Sequence, residues 1–150
     1  MFTLRLEEDV SSPALEECAP VQVWRDLDDR ICAHGYAGDG RWVMDWPGHA
    51  TFSFGPAVGA GIVRASRGPG ASVARVEETF RRGVLPLALQ AVGFETLHAS
   101  AISTHAGVVA FCGERRAGKS TVAYALARRG FTQHADDTLV LSVDAGRVEA

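Results

Sequence analysis

Apolar and polar positions alternate with a period of two through much of the first 66 residues, the signature of half-buried strands. Residues 2–7 (FTLRLE) alternate cleanly. Val21–Trp24 is a weaker strand candidate. Arg41–Trp46 puts Trp42, Met44 and Trp46 on one face. Ala50–Phe54 alternates again, and Ile62–Ala65 follows as its partner across Gly55–Gly61. Val10–Pro20, interrupted by Ser11, Ser12, Pro13 and Pro20, reads as loop. Gly35–Gly40 (GYAGDG) and Pro47-Gly48 read as turns. Asp26, Asp28, Asp29 and Arg30 read as a solvated turn. The pattern predicts a β-rich region of short strands.

At Ser72, a candidate N-cap, the period changes. Val73, Val76, Phe80, Val84, Leu87 and Ala91 recur at steps of three and four, the apolar stripe of a helix. Arg75, Glu77, Glu78, Arg81 and Arg82 fall largely off that stripe. Gly83 and Pro86 lie within the helix and predict a kink or short break, because Pro86 has no N–H to donate. Gly93 is placed to cap it. Phe94–Ile102 then reads as a strand, His105–Gly107 as a turn, and Val108–Cys112 as an antiparallel return strand. A helix of about 12 residues follows Gly118, with Arg128 and Arg129 at its negative end and Gly130 as its cap. Phe131–Ala135 leads to Asp136-Asp137, which open a strand over Thr138–Val143. Asp144-Ala145-Gly146 signals a hairpin, with Arg147–Glu149 returning.

Composition narrows the class. With 150 residues, 47% of them hydrophobic and 22% charged, the chain is globular rather than disordered. A net charge of −3 gives no basic footprint for nucleic acid. Cys18, Cys32 and Cys112 are far apart and in no metal-ligand spacing, which suits a reducing, cytoplasmic setting. The acidic first twenty residues lack the apolar core of a signal peptide. No apolar run approaches the ~18 residues of a membrane span. The expected fold is α/β with α+β character. Residues 1–94 form a β-rich region ending in a helix. Residues 95–150 form the first half of a P-loop core, with later elements expected beyond residue 150.

The chemistry concentrates in Gly113-Glu114-Arg115-Arg116-Ala117-Gly118-Lys119-Ser120-Thr121, which fits G-x-x-x-x-G-K-[ST] at every fixed position. Such a loop turns backbone N–H groups inward, and the helix behind it aims its positive dipole end at the same point. The loop residues 113–121 are therefore the candidate nucleotide cradle. Lys119 can reach the β- and γ-phosphates, and the Ser120 hydroxyl can ligate Mg²⁺. Phosphoryl transfer then needs a carboxylate for the metal and a base for the acceptor hydroxyl. Asp136 and Asp137 supply two adjacent carboxylates. On their own they read as an acidic turn; after a phosphate loop they become candidates, one facing the metal and one the acceptor. His98 alone reads as structural. His105 and His134 have weaker claims, and His34 and His49 none. Asp144 ends an apolar strand as a Walker B acid does, but Asp-Ala-Gly reads first as a hairpin turn.

The segment Leu97–Val143 resembles the catalytic domain of HPr kinase/phosphorylase, a bacterial serine kinase with a phosphoenolpyruvate-carboxykinase-like fold. The matching pieces are Leu97-His98, Gly107–Cys112, the loop GERRAGKS, Arg129-Gly130 and Ala135-Asp136-Asp137. The spacings of 21 residues from His98 to Lys119 and 16 from Ser120 to Asp136 agree with that family. The loop departs from it: Arg115 and Arg116 stand where the family usually has Ser and Gly. The resemblance implies an ATP- and Mg²⁺-dependent kinase of a serine or similar hydroxyl on a protein or peptide. Lys119 would hold phosphates, Ser120 and Asp136 the metal, Asp137 would act as general base, and His98 would support the acid pair. A small-molecule P-loop kinase and an incomplete nucleotide-binding module without activity are the alternative readings.

Overall fold

The computed structural model describes residues 2–7, 19–144 and 147–150. Most of the segment read as a loop from Val10, including Cys18, lies outside the described residues, as do Ala145 and Gly146 of the C-terminal hairpin. The chain is mixed α/β and dominated by strand. It divides into two compact units, Met1–Ala88 and Leu89–Ala150. Among the described residues no helix is long and apolar enough to cross a membrane.

The first unit is built on a six-stranded sheet. Its strands are β1 (Thr3–Glu7), β2 (Gln22–Arg25), β3 (Ile31–Gly38), β4 (Arg41–Trp46), β5 (Ala50–Phe54) and β6 (Ile62–Arg67). The order is β1-β6-β5-β4-β3-β2. Strands β2 to β6 form an antiparallel meander, and β1 joins β6 in parallel. The turn expected over Gly35–Gly40 is shorter than the pattern suggested. Gly35 is inside β3, opposite Gln22, and a Cβ there would lie 2.9 Å from the Trp24 ring. This glycine makes room for an indole on the neighbouring strand rather than turning the chain. The hairpin itself is Asp39-Gly40, whose φ values of 52° and 70° give the left-handed pair that a two-residue turn requires.

One helical stretch closes this core. It comprises α1 (Val73–Thr79), a π-helical turn (Phe80–Val84) and α2 (Leu85–Gln90). The Ser72 side chain accepts from the Arg75 N–H and caps α1. The break expected near Gly83 and Pro86 is the π turn, in which the Leu85 N–H reaches back five residues to Phe80. A Cβ on Gly83 would sit 3.1 Å from Trp46, so the turn also brings the backbone against that ring. Val76, Phe80, Val84 and Ala88 point into one cluster with Met44, Ala50, Phe52, Phe54, Val63 and Ala65. Val73 stays 42% exposed and Ala91 is exposed, so the buried stripe is narrower than its apolar residues suggested. Helix α2 is followed by Gly93, whose φ of 92° reverses the chain.

The second unit contains β7 (Glu95–Leu97), β8 (Ala99–Thr104), β9 (Gly107–Cys112), α3 (Lys119–Ala127), β10 (Thr132–Ala135), β11 (Leu139–Asp144) and β12 (Arg147–Glu149). The strand expected over Phe94–Ile102 is divided at His98, and Phe131–Ala135 contributes a strand where only a lead-in was expected. Two three-stranded sheets result, β10-β8-β9 and β12-β11-β7, and all their pairs are antiparallel. The pairing is nevertheless continuous in register. Ala135 faces Ala101 and Leu139 faces Leu97, so the two strands advance equally between those pairs. The sheets are thus one antiparallel ribbon whose ladder is interrupted at His98 on one strand and Asp136–Thr138 on the other. A small core of Ala99, Ala101 and Leu139, joined by Val108, Ala135 and Leu141, spans the interruption. Helix α3 packs chiefly on β8. It is shorter than expected, because the chain turns after Ala127 and leaves through Gly130 at φ 96°.

Phe52 is completely buried and meets Trp46 edge-on at 5.5 Å between ring centroids. Phe52→Ala is expected to destabilise the first unit by ~3–5 kcal/mol, the transfer loss plus the cavity left behind. Denaturant unfolding checks this; a loss below ~1 kcal/mol would remove Phe52 from the centre of that core.

Candidate functional site

The phosphate-loop sequence lies between β9 and α3. Gly113 leaves β9 with φ 150°, and a Cβ there would stand 3.3 Å from that of Ala117. Gly118 caps α3 in the left-handed region at φ 87°. Between them Arg116 holds φ 69°, a conformation costing an ordinary residue roughly 1–2 kcal/mol. The Ala117 N–H closes a turn onto the Glu114 carbonyl at 3.1 Å. Lys119 Nζ folds back and donates to the carbonyls of Gly113 (2.9 Å) and Glu114 (3.1 Å). Arg115, Arg116 and Thr121 make no side-chain hydrogen bond or ion pair among the described residues.

Ser120, in the first turn of α3, donates its hydroxyl to Asp136 Oδ1 at 2.7 Å. The same oxygen accepts from Ser100 Oγ at 2.9 Å, and the two hydroxyl oxygens are 3.2 Å apart. The ribbon register accounts for the meeting. Counting on from Ala135–Ala101 puts Asp136 opposite Ser100, where side chains on one face come within reach. Ser100 is 1% exposed in a strand whose neighbours Ala99, Ala101 and Ile102 are also buried. The sequence reasoning passed over it. Its available signal was a hydroxyl within the apolar run of β8, placed opposite an acid once the pairing is known.

Asp137 departs from the ladder at φ 79°. His98 Nδ1 lies 2.9 Å from its backbone carbonyl and 3.2 Å from Oδ1. A carbonyl can only accept, so Nδ1 carries a proton and donates it here. Both groups are exposed. Asp136 and Asp137 do not open β11 directly. They follow the last residue of β10, and Thr138 separates them from Leu139.

Lys119, Ser120, Asp136, Asp137 and His98 therefore collect at the ribbon interruption and the adjoining loop. The other candidates lie elsewhere. His134 Nδ1 pairs with Ser103 Oγ at 3.0 Å. His105 is in the β8–β9 turn, and Asp144 faces Arg147 at the C-terminal hairpin. In the first unit His49 bonds Thr79 at 2.8 Å and His34 stands near Tyr36. No group of three His, Cys, Asp or Glu side chains that could cage a metal occurs among the described residues. One carboxylate and one hydroxyl of the hard-oxygen type fit Mg²⁺, which keeps several waters and is held with the help of phosphate oxygens rather than by an all-protein cage.

Comparison with family models, curated proteins and solved structures finds no match to this chain.

The hydroxyl of Ser120, then that of Ser100, holds the Asp136 carboxyl below its ordinary value, against a smaller opposing effect of burial. As pH falls, the unfolded chain takes up this proton first. The stabilisation from Asp136 is therefore fully present above its unfolded value and is lost as pH falls through the folded one. Ser120→Ala is expected to raise the Asp136 carboxyl toward the ordinary value, followed by ¹³C NMR of the side-chain carboxyl. An unchanged titration would show that the Ser120 bond is not the main cause.

Proposed function

We propose that the second unit carries an HPr-kinase-like, Mg-ATP-dependent phosphotransferase site acting on a serine or similar hydroxyl of a protein or peptide. The observation that supports it most is the convergence of Ser120 with Asp136 at 2.7 Å and His98 with Asp137, beside a loop of phosphate-binding sequence. The P-loop core relationship and the cytoplasmic setting belong to the same proposal.

In this reading each side chain has one task. The backbone of residues 113–118 and the N-terminus of α3 cradle the phosphates, and Lys119 adds a full positive charge. Ser120 and Asp136 would hold Mg²⁺, which would supply charge neutralisation on the phosphoryl oxygens. Asp137 takes the proton of the acceptor hydroxyl as its oxygen bonds to the γ-phosphorus. The bond from that phosphorus to the bridging oxygen breaks, and ADP leaves. His98 orients Asp137 through its Nδ1–H.

A small-molecule kinase is kept as a second reading by one observation: the acid pair directly follows the C-terminal end of β10, rather than opening β11. The two readings share the nucleotide site and differ only in the acceptor.

Calorimetry with Mg-ATP is the first test. The parent chain should bind. Lys119→Ala should weaken binding about 10- to 100-fold, as expected from hydrogen bonds to a charged group worth ~1.5–3 kcal/mol. Absence of binding by the parent chain excludes both kinase readings. Transfer from γ-³²P-ATP to serine peptides and to small hydroxyl compounds then separates the acceptors, and binding without any transfer leaves a nucleotide-binding module.

The base has its own test. Asp137→Asn should keep nucleotide affinity and slow transfer by roughly 10²–10⁴, the usual range for a positioned general base. Transfer at the parent rate would remove Asp137 from that role.

A further inference from the structure

The three oxygens around Asp136 have an imbalance that packing does not explain. Ser100 Oγ, Ser120 Oγ and Asp136 Oδ1 lie 2.7–3.2 Å from one another, yet the two hydroxyls bring only two protons. Either hydroxyl can donate to the other, so the contact between them competes with the two to the carboxylate for the same protons. Alanine, present on both sides at Ala99 and Ala101, would fill the position in β8 without the cost of burying a hydroxyl. The three groups come from different elements: β8, α3 and the β10–β11 connection.

We propose that Ser100 is a positioning residue of the cation site: its buried hydroxyl holds the Asp136 carboxylate against the Ser120 hydroxyl and thereby sets both the affinity and the choice of divalent cation. This rests on the nucleotide-site reading above. Ser120 donates to Asp136 and still has lone pairs for a cation. Ser100 spends its proton on the same carboxylate from the buried side, so Asp136 is fixed from two directions. Partners that orient a ligand in this way commonly change metal affinity or activity 10- to 100-fold when removed. The effect should depend on the cation. Mg²⁺ demands near-ideal octahedral geometry, whereas Ca²⁺ accepts an irregular shell. Loosening Asp136 therefore penalises Mg²⁺ more.

The test is calorimetric ATP binding with Mg²⁺, with Ca²⁺ and with EDTA, comparing the parent chain and Ser100→Ala. Removing one oxygen leaves no buried acceptor stranded, because Asp136 is exposed and keeps its Ser120 bond. The variant is expected to need about 10–100 times more Mg²⁺ for half-saturation. Its Ca²⁺ requirement should rise less, and its cation-free ATP affinity should match the parent. If Ser100→Ala does not fold, Ser100→Cys, whose S–H is a weak donor, is judged by the same criteria. Parent-like Mg²⁺ dependence overturns the role of Ser100 and leaves the nucleotide site standing. Equal losses with Mg²⁺, Ca²⁺ and EDTA assign Ser100 to structure alone and also overturn it. A parent chain that binds no ATP overturns the nucleotide site and this role together.

Discussion

The antiparallel register of the second unit is the constraint on which its candidate site depends. Because Ala135 faces Ala101 and Leu139 faces Leu97, the residues between those pairs have no freedom to slide. A shift by one position would turn Ala99, Ala101 and Leu139 out of their core and carry Asp136 away from Ser100. Past the irregularity at His134, the ladder is open where His98 and Asp136–Thr138 stand. Apolar pairs on both sides hold the gap in place, and polar groups occupy it. This division of labour lets a small unit present two adjacent acids at one gap.

Much of the architecture was legible from periodicity. The strands around Arg41–Trp46, Ala50–Phe54 and Ile62–Ala65, the Ser72 cap and the β8–β9 hairpin all follow from local pattern. Gly35 was misread because glycine permits a turn without demanding one; a ring on the adjacent strand, invisible in the sequence, decided its role. The π turn was legible only as an interruption. Pro86 removes a donor, but whether the helix breaks, bends or gains a residue is settled by how Phe80 and Val84 reach the sheet.

The candidate site was legible in its parts and hidden in its assembly. The loop motif and the Asp-Asp pair announce themselves by residue type. Ser100 does not, since a single serine in an apolar strand looks like any small residue. Its partnership with Asp136 is a long-range pairing across 36 positions, which local propensity cannot encode. The same holds for His98, which meets the Asp137 carbonyl, a backbone group with no sequence signature.

Under the proposed nucleotide role, the folded-back Lys119 bears on the cost of capture. Its ammonium carries three N–H donors, and the carbonyls of Gly113 and Glu114 take two. An arriving anion can be met by the third before either existing bond is given up. A lysine roaming in water would lose on the order of 1.5–2 kcal/mol of rotamer freedom at that moment; here most of that loss accompanies folding. The tether thus converts a flexible charge into part of the loop wall, and capture becomes an exchange of water for anion at a fixed point.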